Sequence, residues 1–165
     1  MADRTISERL QPSLLDRLTD DEPDKRTESR ERRVIDIQRL REIVQRDLAW
    51  LLNTQNGDSW IEPERHPQTG QSVLNYGIAD LTGRFATGDR AGTIRESIRQ
   101  AIETFEPRLR RGSVQIELSS QIVEGGVLVT FEIRAEMWAH PVPMELYLRS
   151  ELDITTGDVK IERVA

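Results

Sequence analysis

The sequence predicts an α+β fold: two long helices plus short helical pieces packed on one face of an antiparallel sheet of about four strands. Three observations carry this. Apolar residues recur every three or four positions up to Phe105, and every second position from Val114 onward. The change of period follows Pro107. The alternating runs after it are separated by short turn-forming segments, which suits a meander with helices on one side.

From Val34 the pattern is helical. Ile37, Leu40, Val44, Leu48 and Leu51 make one stripe, Trp50 and Leu52 widen it, and Arg39, Glu42 and Arg46 take the opposite face. This helix is expected to run to about Leu52, with Asn53 capping its end. The segment NTQNGDSWIEPERHPQTGQS then reads as a long surface loop. Ser72 to Phe85 mixes apolar residues with Gly77 and Gly83, which suggests packed irregular structure with a helical turn near Asp80. A second long helix is expected near Thr93, where Thr93 and Glu96 have the spacing of a capping box. Ile94, Ile98, Ala101, Ile102 and Phe105 form its buried stripe.

Beyond Pro107, Val114, Ile116 and Leu118 alternate with polar residues, as do Val127 to Met137 and Met144 to Leu152. TTGD at residues 155–158 is a turn signal, and Val159 and Ile161 belong to a last short strand. These elements define one domain over residues 34–165. Residues 1–33 differ: 17 of them are charged, too many for the segment to bury surface that offsets its ordering entropy. They are expected to form a mobile arm. Within it Ser13 can cap one helical turn carrying Leu14, Leu15 and Leu18 on one side. The arm is either a solvated linker or a segment whose leucines dock on another subunit.

Composition narrows the function. The net charge is −6, which argues against nucleic acid, since phosphate contacts need a basic face. With no cysteine, disulfides, thiol nucleophiles and Cys-ligated zinc are excluded. MADRTISERL lacks the apolar stretch of a secretory signal, no apolar run is long enough to cross a membrane, and a cytoplasmic protein is expected. His66 and His140 sit beside prolines without ligand spacing. Carboxylates are too numerous for any pair to be informative. No active site, metal site or cofactor site is legible, so a non-enzymatic role is expected.

One short stretch stands out. Glu106, Pro107 and Arg108 lie in a row where helix must become sheet. Proline lacks a backbone N–H and disfavours helix in the residue before it, so it ends the helix after Phe105. In an extended backbone Glu106 and Arg108 would point to the same side. As a surface ion pair they would contribute ~0–1 kcal/mol. Held rigidly, they would also form a bipolar patch for a partner's opposite pair.

These residues bring a family into view. The chain resembles the TssE subunits of type VI secretion baseplates, relatives of the small wedge protein of contractile phage tails. SLLDRL at Ser13 to Leu18 is similar to the family's leucine segment, and LLNT at Leu51 to Thr54 to its Leu-Leu-Asn-Thr-Arg, with Gln55 where arginine is usual. SVLNYGIADL, containing Asn75, Tyr76, Gly77 and Asp80, and FEPRL, containing Glu106, Pro107 and Arg108, match two further motifs in the same order. The resemblance implies a structural protein in a baseplate docked at the inner face of the inner membrane. Its implied partners are the TssF, TssG and TssK subunits and the first sheath ring, whose strands would add to its sheet. It implies partner contacts for Glu106, Pro107 and Arg108, and for Leu14, Leu15 and Leu18. A lysozyme-like glycosidase and an unrelated adaptor are the alternatives; the residues give the first no support.

Overall fold

The computed structural model describes residues 13–20, 23–24, 37–62, 65–79, 90–123, 126–138, 144–153 and 159–163. It contains a short helix α1 (Leu14–Leu18), two long helices α2 (Ile37–Leu52) and α3 (Arg90–Phe105), and strands β1 (Gln115–Val123), β2 (Gly126–Met137), β3 (Met144–Asp153) and β4 (Val159–Arg163). The strands form one antiparallel sheet in the order β1-β2-β3-β4, so every connection joins neighbours. The expected α+β meander is present.

The core lies between the inner face of the sheet and the two long helices, with α2 over β4 and α3 over β1. From the sheet it takes Ile116, Phe131, Ile133, Ala135, Met137, Leu146, Leu148 and Val159; from the helices Leu40, Val44, Leu48, Leu51, Leu52, Ile94, Ile98 and Ile102. Period-two and period-3.6 stripes thus meet face to face. Burying each aliphatic side chain contributes about 1.5–3 kcal/mol, which is what holds the layers together.

Three local expectations are corrected. The helix expected at Thr93 starts at Arg90, so Thr93 lies inside it and caps nothing. Trp50, expected to widen the buried stripe, is about half exposed, and Ile43 is buried instead. The long loop after α2 carries structure of its own. Gln55 makes a parallel bridge with Ile78, and two 3₁₀ turns, Thr69–Gln71 and Val73–Asn75, follow a turn at 57–60. Polar sequence hides this order because side-chain hydrogen bonds without any period help create it, beside the burial of Ile61 and Ile78.

Among the described residues no helix is long and apolar enough to cross a membrane, and no cluster of His, Cys, Asp or Glu could hold a metal ion.

Candidate functional site at the helix-to-sheet junction

Helix α3 ends at Phe105, and Glu106 N donates the last helical bond, to Ile102 O at 2.9 Å. Residues 107 and 108 then form a turn closed by Leu109 N donating to Glu106 O at 3.2 Å, rather than the extended stretch the sequence suggested. Leu109 pairs with Met137 at the end of β2. Trp138 N donates to Arg108 O and Arg110 N to Glu136 O, both at 2.8 Å. The proline turn is therefore clamped to the sheet on one side and to the helix on the other.

The turn still brings Glu106 and Arg108 together. Arg108 Nε donates to Glu106 Oε1 at 2.6 Å, its Nη2 reaches Glu106 Oε2, and its backbone N donates to Oε1 at 3.0 Å. This is a bidentate pair with a third donor added. Contrary to the surface pair anticipated, Glu106 is only 4 % exposed. Arg108 Nη2 also donates to Asp47 Oδ2 on α2 at 2.6 Å. Burial disfavours the charged guanidinium, but the carboxylates of Glu106 and Asp47 outweigh it, and the Arg108 pKa is raised.

Asp47 extends the array. Its Oδ1 accepts from Arg46 Nε at 2.9 Å and Nη2 at 2.7 Å, and Arg46 Nη1 lies 2.8 Å from Asp16 of α1. The guanidinium of Arg46 covers the Trp50 ring, 4.7 Å from its centroid. Charges therefore alternate along Glu106, Arg108, Asp47, Arg46 and Asp16, from the buried junction out to the leucine helix. Sequence reasoning missed Asp47, Arg46 and Asp16: Asp47 is 61 residues from Arg108, and no local pattern joins them.

The second expected motif packs against the same place. Tyr76 meets Phe105 edge-on with ring centroids 5.4 Å apart. Burial, then the charges of Asp47 and Glu106, raise its phenol pKa, against a smaller opposing effect of Arg108. Gly77 adopts φ +123°, and a Cβ there would stand 2.3 Å from Thr54 O. Only glycine fits that approach. It permits Ile78 N to donate to Thr54 O and Asn56 N to Ile78 O, both at 2.9 Å. Asn75 is buried and fastens the loop. Its Oδ1 accepts from Gly57 N at 2.8 Å, and its Nδ2 donates to Asp58 at 2.9 Å and to Gly70 O at 3.1 Å. Asp80 lies outside the described residues, as do most of residues 1–33 and His140.

In α1, Ser13 caps the helix as expected, its hydroxyl accepting from Asp16 N at 3.4 Å. Leu14, Leu15 and Leu18 are all exposed. Pro107 faces solvent beside the buried Glu106.

The described residues thus form a small α+β unit with a charge-locked junction and exposed leucines. The chain belongs to the family of baseplate wedge protein gp25, which is the family of TssE; the match covers residues 38–142, from α2 through β2. Membership carries a structural role in a phage-tail-like baseplate. No curated protein and no solved structure matches the chain significantly.

Proposed function

We propose that this chain is the TssE-type subunit of a type VI secretion baseplate, linking the wedge to the first sheath ring and helping sheath polymerisation start. The carrying observation is the family match over residues 38–142, which spans both long helices and the Glu106-Pro107-Arg108 junction. The clamped junction supports a scaffold role. It holds two charges at fixed positions, so a partner that reads them loses little conformational freedom on binding. The protein works as an assembly part, without catalysis or cofactor, at the cytoplasmic face of the inner membrane.

In this reading residues 1–33 are the arm and residues 34–165 the wedge domain. Leu14, Leu15 and Leu18 engage another baseplate subunit among TssF, TssG and TssK, and the sheet meets the sheath. The test is removal of the gene in its own host with a fluorescently tagged sheath subunit. Extended sheaths are expected to disappear and to return when the gene is restored. Sheaths at normal frequency without the protein would overturn the proposal.

A further inference from the structure

Residues directly opposite on neighbouring strands stabilise a sheet when their charges are opposite and destabilise it when alike. The outward face of this sheet follows that rule at some positions: Glu132 faces Arg149, and Glu151 faces Lys160. Where β2 ends and β3 begins it does the reverse, and Glu136 faces Glu145. Both point away from the core, because Ala135, Met137 and Leu146 beside them are buried. Arg110 Nη1 meets Glu136 at 2.9 Å, whereas Glu145 is exposed and makes no ion pair among the described residues. Two carboxylates thus share one cation.

The surroundings suit a second cation. A groove of about 510 Å³ opens here, lined by Gln115, Arg134, Glu136, Glu145 and Tyr147 among others. The guanidinium in it is already engaged: Arg134 lies over the Tyr147 ring, 5.0 Å from the centroid, and 3.4 Å from Glu132. Trp138, two positions beyond Glu136, is 66 % exposed, and its backbone is fixed by donating to Arg108 O at 2.8 Å. A cation beside carboxylates gains further from the face of an exposed tryptophan.

We propose that Glu136, Glu145 and Trp138 form a docking site for a basic segment of a different protein, whose lysine or arginine stands against Glu145. That cation would offset a repulsion the isolated chain carries. A pair that breaks a local rule in the free chain and completes it in a complex marks a contact rather than a part of the frame. The site lies on the two central strands, so the contact is with the face of the sheet. A second copy of this chain is disfavoured as the occupant, because each copy carries a net charge of −6.

The inference rests on the proposed role as an assembly part and adds the chemistry of one partner. Two measurements on the full chain test it together. Glu145→Lys brings its own cation opposite Glu136, so it should raise the melting temperature of the purified chain by about 1–4 °C. In the native host, a benzophenone-bearing phenylalanine in place of Tyr147 keeps the ring and should crosslink to another protein, at a segment that mass spectrometry shows to contain lysine or arginine. Glu145→Lys should lower that crosslink roughly five-fold or more, the equivalent of about one charge pair. Glu145→Asp should retain it. A lower melting temperature in Glu145→Lys would overturn the proposal, as would a crosslink that this variant leaves unchanged. A crosslinked segment without a basic residue, or crosslinks only to a second copy, would overturn it as well. Absence of crosslinks in cells whose sheaths still depend on the gene would reject the site and leave the proposed function standing. Sheaths that form without the gene would reject the proposed function itself.

Discussion

In α1, Leu14, Leu15 and Leu18 face solvent while Asp16 among them turns inward, its side chain only 8 % exposed against Arg46. At the junction the arrangement is similar: Glu106 is buried and Pro107 beside it is exposed. Both regions place a carboxylate inside and apolar atoms outside, and one alternating chain of charges joins them. They differ in what surrounds the carboxylate. Glu106 sits under a helix end, a sheet end and three donors from Arg108. Asp16 is held by its own cap Ser13 and by one arginine of α2. The first arrangement belongs to the frame, and the second fastens a short helix to it. Exposed leucines on a five-residue helix contribute nothing to this domain's core, and in the proposed assembly they are the residues that engage a partner.

The largest expected effect falls on the frame. Gly77→Val forces a β-branched residue to φ +123° and drives its Cβ into Thr54 O. The bridge of Gln55 to Ile78 would open and Tyr76 would leave Phe105. A loss of about 3–5 kcal/mol is expected, or failure to fold. Chemical denaturation of purified protein measures it. A loss below about 1 kcal/mol would mean that the loop moves aside freely and is not part of the frame.

Arg108→Ala comes next. It leaves the Glu106 carboxylate buried without its main partner and leaves Asp47 paired with Arg46 alone. Removing one member of a buried pair costs about 3–5 kcal/mol; Arg108 keeps a quarter of its side chain exposed, so about 2–4 kcal/mol is expected. A denaturation midpoint equal to the parent's would return Glu106 and Arg108 to the class of surface pairs. This expectation replaces the small effect suggested by the sequence, and the reason is geometric. Reading Glu106 and Arg108 as neighbours on an extended strand leaves both at the surface. The turn at Pro107 instead folds Glu106 under α3, beside a helix whose Asp47 no spacing rule connects to it.

Much else was legible. The stripe Leu40, Val44, Leu48 and Leu51 and the alternation through Phe131, Ile133, Ala135 and Met137 identify the core almost residue by residue, because apolar burial leaves a periodic trace. Gly77 was legible as a constrained position because only glycine suits such an approach. The order of the loop after α2 was not. It depends on Asn75 reaching Gly57, Asp58 and Gly70, contacts 18, 17 and 5 residues apart that obey no period. The bond from Asn53 to β4 escaped for a similar reason: its amide serves Val159, 106 residues on, as well as its own helix.

A smaller effect separates the two regions by readout. Replacing Leu14, Leu15 and Leu18 together with alanine is expected to change the domain's stability by less than about 0.5 kcal/mol, since none is buried. Capture of baseplate subunits by the tagged full-length protein should nevertheless fall. A stability loss of several kcal/mol would assign the leucines to the core. Undiminished capture would show that the partner reads another surface.

The smallest expected effect concerns the attachment of α1 itself. Burial alone would raise the Asp16 pKa, but the bonds from Ser13 and Arg46 more than reverse this and hold it below its ordinary value. A carboxylate with a lowered folded pKa stabilises the attached state above the free value of about 3.9, and that contribution is lost as pH falls through the lowered value. Attachment of α1 should therefore be constant from pH 7 to about pH 5 and weaken only in acid beyond the ordinary carboxylate range. Methyl resonances of Leu15 can follow it, because that leucine is the least exposed of the three. Asp16→Ala should give the acid spectrum already at pH 7 while the rest of the domain melts within about 1 kcal/mol of the parent, because no residue of α1 belongs to the core. Release of α1 near pH 6 would show that a group other than Asp16 holds it. A full loss of fold in Asp16→Ala would make α1 part of the frame and erase the distinction between the two regions.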